Sequence, residues 1–197
     1  LESPGGVRKR ELKGLLRDRL SPRLYGLLQA AGELGERLGL SVYVVGGFSG
    51  SALTTTEEYD PATDTWTTKA NMPSARRSPV VATVNNKIYA IGGMSYIDAN
   101  QVTYSYATEE FDPSTNTWAA KASMPTGNSV NPILGNRFIA GAAVNDKIYI
   151  TVFNNNGNPP ISSTFEYDPT SNTWDTSKTP VPFGNAQYTA ASLGGKL

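Results

Sequence analysis

Lys87-Ile88-Tyr89-Ala90-Ile91-Gly92-Gly93, then Glu109-Glu110-Phe111-Asp112-Pro113, then Asn116-Thr117-Trp118: this succession decides how the chain is read, because it recurs on both sides. Upstream stand Val42-Tyr43-Val44-Val45-Gly46-Gly47, Glu57-Glu58-Tyr59-Asp60-Pro61 and Asp64-Thr65-Trp66. Downstream stand Lys147-Ile148-Tyr149-Ile150, Phe165-Glu166-Tyr167-Asp168-Pro169 and Asn172-Thr173-Trp174. The tryptophans fall 52 and then 56 residues apart. A motif that returns at such a period is one structural unit used repeatedly.

Each unit reads as four short strands. In the central copy, Pro79 to Val84 is an apolar run rich in β-branched residues, and Asn85-Asn86 is a two-residue turn able to supply positive φ. Ile88 to Gly93 forms the next strand. Alternation through Glu110, Phe111 and Asp112 marks a half-exposed strand, closed by Asp112-Pro113-Ser114-Thr115, where proline presets φ for a β-turn. Trp118 to Lys121 finishes the sheet. Gly46-Gly47 and Gly92-Gly93 end their strands without side chains, so neighbouring backbone can approach closely. The period lies in the range of β-propeller blades and far above that of helical repeats.

With the paired glycines, the Tyr or Phe before Asp-Pro, the tryptophan about six residues on, and Met72-Pro73 and Met124-Pro125 after it, the chain resembles the kelch-repeat family from about Val42 to Leu197. The resemblance implies an all-β fold of four-stranded antiparallel blades set radially, with a propeller segment over 41–197. The third copy departs from the motif. It has Val152-Phe153 where the glycine pair should stand, and Pro180-Val181-Pro182 in place of Met-Pro. Trp66, Trp118 and Trp174 are expected to be buried between neighbouring blades. The first repeat begins with what is the second strand of later ones, and Ala186 to Leu193 reads as a fresh inner strand. The strand count therefore makes three four-stranded blades, half of a six-bladed ring, only if that last strand joins a first blade. A homodimer is expected to supply it.

Composition narrows the function. The 197 residues are 39% hydrophobic and 17% charged, with zero net charge and an isoelectric point near 6.5. No global field draws nucleic acid or an anionic membrane, and no apolar run is long enough to span a bilayer. There is no cysteine and no histidine, so thiol nucleophiles, imidazole bases and Cys- or His-ligated metals are excluded. No catalytic residue, metal ligand or cofactor is assigned.

Residues 1–40 form a separate appendage. Leu12, Leu15, Leu16 and Leu20, then Leu24, Leu27, Leu28, Ala31, Leu34 and Leu38, recur at helical spacing, with Ser21 able to cap and Pro22 acceptable at a first helical position. Eight basic residues against five acidic ones over this stretch read as a solvated helix face. Ala30-Ala31-Gly32-Glu33-Leu34 with Leu38 to Phe48 resembles the lead-in to the head domain of bacterial tRNA nucleotidyltransferases and poly(A) polymerases. There paired glycines bind a triphosphate and an Asp-x-Asp pair holds metal. No Asp-x-Asp occurs here, and Asp60 and Asp64 lie four apart across a proline turn, so nucleotidyl transfer is not expected. Tyr43-Val44-Val45-Gly46-Gly47-Phe48 suits both families, which points to a chimera joined at that string.

The remaining candidates are binding residues. Glu57-Glu58, Glu109-Glu110 and Glu166 recur in each unit and read as a strand's solvent face rather than a catalytic pair. Arg77 and Arg137 each stand ten residues before the lysine of the next turn, Lys87 and Lys147. In the resembled family this position looks out near the ring mouth, where arginine can hold an anionic group. The long connections Phe48 to Thr55, Met94 to Tyr106 and Phe153 to Ser163 carry Tyr96, Tyr104, Asn154, Asn155 and Asn156, groups suited to a carbohydrate, peptide or protein ligand. The expected function is a non-catalytic binding or scaffold module. The alternative is a recombinant fragment with no activity of its own.

Overall fold

The repeated strand pattern forms antiparallel sheets in a computed structural model of the chain, which describes residues 41–98, 101–125, 127–128, 131–132, 137–154, 161–182 and 190. The helical reading of residues 8–38, Asn155 and Asn156, and the final strand read at 186–193 lie outside the described residues. The strands are β1 Val42–Val45, β2 Thr56–Asp60, β3 Thr65–Thr68, β4 Val80–Val84, β5 Lys87–Ile91, β6 Met94–Asp98, β7 Gln101–Tyr104, β8 Thr108–Asp112, β9 Thr117–Lys121, β10 Gly127–Asn128, β11 Asn131–Pro132, β12 Arg137–Val144, β13 Lys147–Asn154, β14 Ile161–Asp168 and β15 Thr173–Lys178. They assemble as a three-stranded sheet β1-β2-β3, two four-stranded sheets β4-β5-β8-β9 and β12-β13-β14-β15, and the hairpins β6-β7 and β10-β11. The chain divides into two compact units, Glu57–Thr68 with the chain up to Val44, and Val45–Thr56 with the chain from Lys69.

In the first unit Tyr59 pairs with Trp66 across β2 and β3, their rings 5.1 Å apart. Tyr43 Oη donates to Glu58 Oε1 at 2.6 Å.

In the second unit the inner strands show why they form. Val80, Ala82 and Val84 alternate inward along β4, and Ile88 to Ile91 are all buried on β5. Val80, Ala82 and Val84, with Tyr89 and Ile91 of β5, share one cluster with Ile148, Ile150, Val152, Phe165 and Tyr167 of the third repeat. Each fully buried branched or aromatic side chain contributes roughly 1.5–3 kcal/mol. The turns follow from their residue types. Asn85 and Asn86 take φ of 50° and 59°, and Asn145 and Asp146 take 49° and 61°, as a two-residue hairpin requires. At each Asp-Pro, the aspartate accepts a backbone N–H two residues on: Asp60 from Ala62, Asp112 from Ser114, Asp168 from Thr170.

Two elements differ from the sequence expectation. Met94 to Tyr106, read as a connection, contains the hairpin β6-β7, which continues past the Gly92-Gly93 break because Gly92 N–H still donates to Ala107 O and Ser105 N–H to Gly93 O. In the third repeat β13 runs unbroken through Val152 and Phe153, whose buried side chains hold the strand in the sheet where glycines would release it. The tryptophans are also less buried than expected. Trp66 is 45% exposed, and Trp118 and Trp174 are half-buried. Each lies on a third- or fourth-position outer strand, its ring tilted against an aromatic of the neighbouring strand.

Candidate functional site

The sequence Gly-Gly, Arg-Arg, Gly-Gly places two consecutive arginines between two glycine pairs. Residues 69–76 run beside the first connection: Lys69 N–H donates to Thr56 O, Met72 N–H to Thr54 O and Arg76 N–H to Leu53 O. Gly47 N–H then donates to Arg76 O at 3.0 Å, while Arg77 exchanges both backbone hydrogen bonds with Met94. These approaches need glycine. A Cβ on Gly46 (φ +68°) would lie 2.5 Å from Arg76 O, and one on Gly93 (φ +89°) 2.8 Å from Arg77 O.

Extended backbone sends adjacent side chains to opposite sides. Arg76 turns inward and is fully buried. Its guanidinium pairs with Glu109, donates to Ser105 Oγ at 3.0 Å and Ala107 O at 3.3 Å, and its Nε lies 3.3 Å from Met72 Sδ. Glu109 also accepts from Ser74 Oγ at 2.7 Å. Burial pulls the Arg76 guanidinium below its usual range, and the Glu109 carboxylate opposes that pull. Arg77 turns the other way. Its guanidinium carbon sits 5.1 Å from the centre of the Phe48 ring, and Phe48 is 48% exposed. A cation over an aromatic face is worth roughly 0.5–1 kcal/mol at an exposed site; Arg77 itself is half-buried, with its Nε out of contact with solvent.

Arg137 occupies the matching register position. Arg77 bridges Met94 and Arg137 pairs with Asn154, each partner seven residues past the turn lysine. The structure thus brings Arg77, Phe48 and the start of β6 together, with half-buried Tyr104 pairing with Met94 across β6-β7. The side chains of Tyr96, Arg137 and Asn154 lie outside the described atoms, as do Asn155 and Asn156.

The glutamates are not a plain solvent face. Glu109 is 3% and Glu166 is 8% exposed, because cations and tyrosines reach them. Tyr89 Oη donates to Glu110, Lys121 lies 3.1 Å from it, and Glu166 sits 2.9 Å from both Lys147 and Lys178. These bonds, that to Lys178 first, hold the Glu166 carboxyl below the usual carboxylate range. Sequence reasoning missed Arg76, Glu109 and Phe48. One signal was available: the third repeat places Phe165 where the second has Glu109, and a position that accepts phenylalanine faces inward. Among the described residues no group of three or more acidic, His or Cys side chains could hold a metal, and no helix is long and apolar enough to cross a membrane.

The kelch motif matches residues 38–73 and 75–125. Kelch-like protein terF of Aspergillus terreus is 32% identical over 119 residues, 57% of this chain and 25% of that protein. Kelch-like protein 35 of Mus musculus is 29% identical over 134 residues, 68% of this chain and 20% of that protein. An N-acetylneuraminate epimerase of Haemophilus influenzae is 32% identical over 120 residues, 60% of this chain and 30% of that protein. The solved structure of YjhT shares the fold, with a TM-score of 0.52 at 17% identity over 72% of this chain and 52% of that one. The chain spans less than a third of these curated relatives and about half of YjhT.

Proposed function

Since kelch repeats run through residues 38–73 and 75–125 of this chain, we propose that it is a non-catalytic binding and scaffold module whose recognition face is built from the connections around Arg77. One observation carries this reading: Arg77 lies across the half-exposed Phe48 ring, beside the β6-β7 hairpin, as a charge paired with an apolar platform. Such a pair suits a carboxylate attached to a less polar group, as in an acidic peptide or a protein loop. Arg137, Tyr96, Tyr104 and Asn154 to Asn156 extend the face in this reading. The acidic groups of the second unit support binding over catalysis, since Glu109 and Glu166 are engaged with Arg76, Lys147 and Lys178.

A second ligand class shares the chemistry. The epimerase relative acts, by its name, on N-acetylneuraminate, and an acidic sugar would present a carboxylate to Arg77 and its ring to Phe48. Titrating the protein with an acidic peptide series and with N-acetylneuraminate, followed by calorimetry, separates the two. Whichever binds should lose about tenfold to a hundredfold in affinity on Arg77→Ala, the size expected for a charged hydrogen bond. Binding of both classes unaltered by Arg77→Ala and Phe48→Ala would refute this face.

Assembly is part of the proposal. The β1-β2-β3 sheet has three strands where its counterparts have four, and a homodimer in which each C-terminal strand near Ala186–Leu193 enters the partner's first sheet would make a six-bladed ring. The helical appendage and its nucleotidyltransferase-like origin also belong to the proposal, the kelch match beginning at residue 38, just before the shared string. A recombinant without activity is the alternative, and failure to bind any anionic or sugar ligand would favour it.

A further inference from the structure

The second and third repeats grip the chain with the same two groups. Asn116 Oδ1 accepts Ala70 N–H at 2.9 Å, and Trp118 Nε1–H donates to Ala70 O at 2.9 Å. Asn172 Oδ1 accepts Ala122 N–H at 2.8 Å, and Trp174 Nε1–H donates to Ala122 O at 2.8 Å. Each clamp therefore satisfies both backbone groups of one residue. Its parts are preset alike: Asn116 and Asn172 have φ of 55° and 54°, and the indoles lie 5.2 Å from Phe111 and 4.9 Å from Tyr167 at 37° and 38°.

Asp64 and Trp66 reproduce this clamp in the first repeat. Asp64 has φ of 56°, its Oδ1 accepts from Tyr59 Oη at 2.6 Å as Asn172 does from Tyr167, and Trp66 lies 5.1 Å from Tyr59 at 37°. Yet Trp66 is 45% exposed, and no described residue stands in the clamp. A carboxylate accepts an N–H as an amide oxygen does, so Asp64 keeps the function of asparagine.

The matching ligand is also present in the chain. Sheet register pairs Lys178 with Thr164 as Lys121 pairs with Thr108, which makes Thr179 the counterpart of Ala122, the residue gripped by Asn172 and Trp174. Thr179 is exposed, and Val181 O, accepting from Ser162 Oγ at 2.6 Å, fixes the segment that carries it. We infer that the Asp64–Trp66 clamp of one chain grips the Thr179 backbone of a second copy: Asp64 accepts Thr179 N–H and Trp66 donates to Thr179 O. A reciprocal pair of such contacts would be the self-complementary interface of a two-fold dimer. This deepens the homodimer reading and rests on it, and it names residues for the contact that are not those of the exchanged strand.

The test combines light scattering with NMR of the three indole N–H signals over a concentration series of the full chain. The Trp66 signal should shift and gain exchange protection in step with rising mass, while the Trp118 and Trp174 signals stay still. Thr179→Pro, which lacks the N–H, and Trp66→Ala should each weaken self-association about tenfold or more, and Asp64→Asn should leave it intact. A Trp66 signal already protected in a monomer would show that the chain's own residues fill the clamp, and would overturn the inference. So would protection gained only on adding saccharide. A dimer whose Trp66 signal never moves, or which Thr179→Pro leaves unchanged, would sink the clamp while leaving dimerisation by strand exchange standing.

Discussion

Arg76 and Arg77 are adjacent in sequence and opposite in role, and the difference is set by which way extended backbone turns each side chain. Arg76 is a buried charge, tolerable only because Glu109, Ser105 Oγ and Ala107 O satisfy its guanidinium. Removing one partner leaves the other charge buried without compensation, which typically costs about 3–5 kcal/mol. Glu109→Ala should therefore lower the urea-unfolding free energy by that amount, whereas Arg76→Met together with Glu109→Met should recover most of it, since a well-packed apolar pair often replaces a buried ion pair at little cost. A loss below about 1 kcal/mol for Glu109→Ala would mean that the pair is solvated. At this scale the sequence was only partly legible. The outward position expected of Arg77 came from the resemblance to kelch repeats, while Glu109 was grouped with exposed Glu57 because both precede a glutamate. What buries Glu109 is the guanidinium of Arg76, and that partner lies 33 residues away from Glu109, beyond the reach of any local pattern.

Strand lengths follow the glycines. β1 and β5 stop at Val45 and Ile91, where Gly46 and Gly92 turn to φ of 68° and 66°, and β13 continues because Val152 and Phe153 have no reason to leave the sheet. The strand order within each repeat and the asparagine turns were legible because they rest on local chemistry. The β6-β7 hairpin was not, since a glycine pair reads as an exit while the backbone bonds across it resume at Met94. Close approach, rather than φ alone, distinguishes these glycines, and two of them can be compared directly. Gly93 has φ of +89° with Arg77 O, Pro79 N and Pro79 Cα within 3.1 Å of where a Cβ would stand, whereas Gly50 has φ of +75° with nothing within 4 Å. Gly50→Ala should cost about 1–2 kcal/mol, the left-handed penalty alone. Gly93→Ala should cost at least about 3 kcal/mol, because rigid backbone must also shift. Equal losses of stability in chemical denaturation would show that the Arg77 backbone does not lean on Gly93.

Among the described residues the titratable groups whose pKa is shifted fall into two sets with a gap between them. On the acid side, Glu166 is held below its ordinary 4.5, first by its bond to Lys178. Asp168 is lowered first by Thr170 N–H, and Asp112 first by Lys87. A carboxyl whose folded pKa is depressed contributes stability above its unfolded pKa and loses it as pH falls through the folded value, so the decline begins below about pH 4.5. On the alkaline side, burial first, then Glu110 and Asp168, pushes Tyr167 from 10.0 up to about 12, and burial raises Tyr89 in the same direction. A group with a raised pKa contributes stability below its unfolded value and loses it as pH rises through the folded one, so this decline runs from pH 10 to about 12. The chain has no histidine and no cysteine, hence no side chain whose ordinary titration falls between. Urea midpoints should therefore be flat from about pH 5 to 9.5 and fall on both sides. Tyr167→Phe isolates the alkaline limb, and Phe111 at the same position of the second repeat shows that the ring alone fits. That variant should lose about 1 kcal/mol at neutral pH with the hydrogen bond to Asn172, and its alkaline decline should be shallower. A change of more than about 1 kcal/mol between pH 5.5 and 9 would contradict this assignment of the titrating groups.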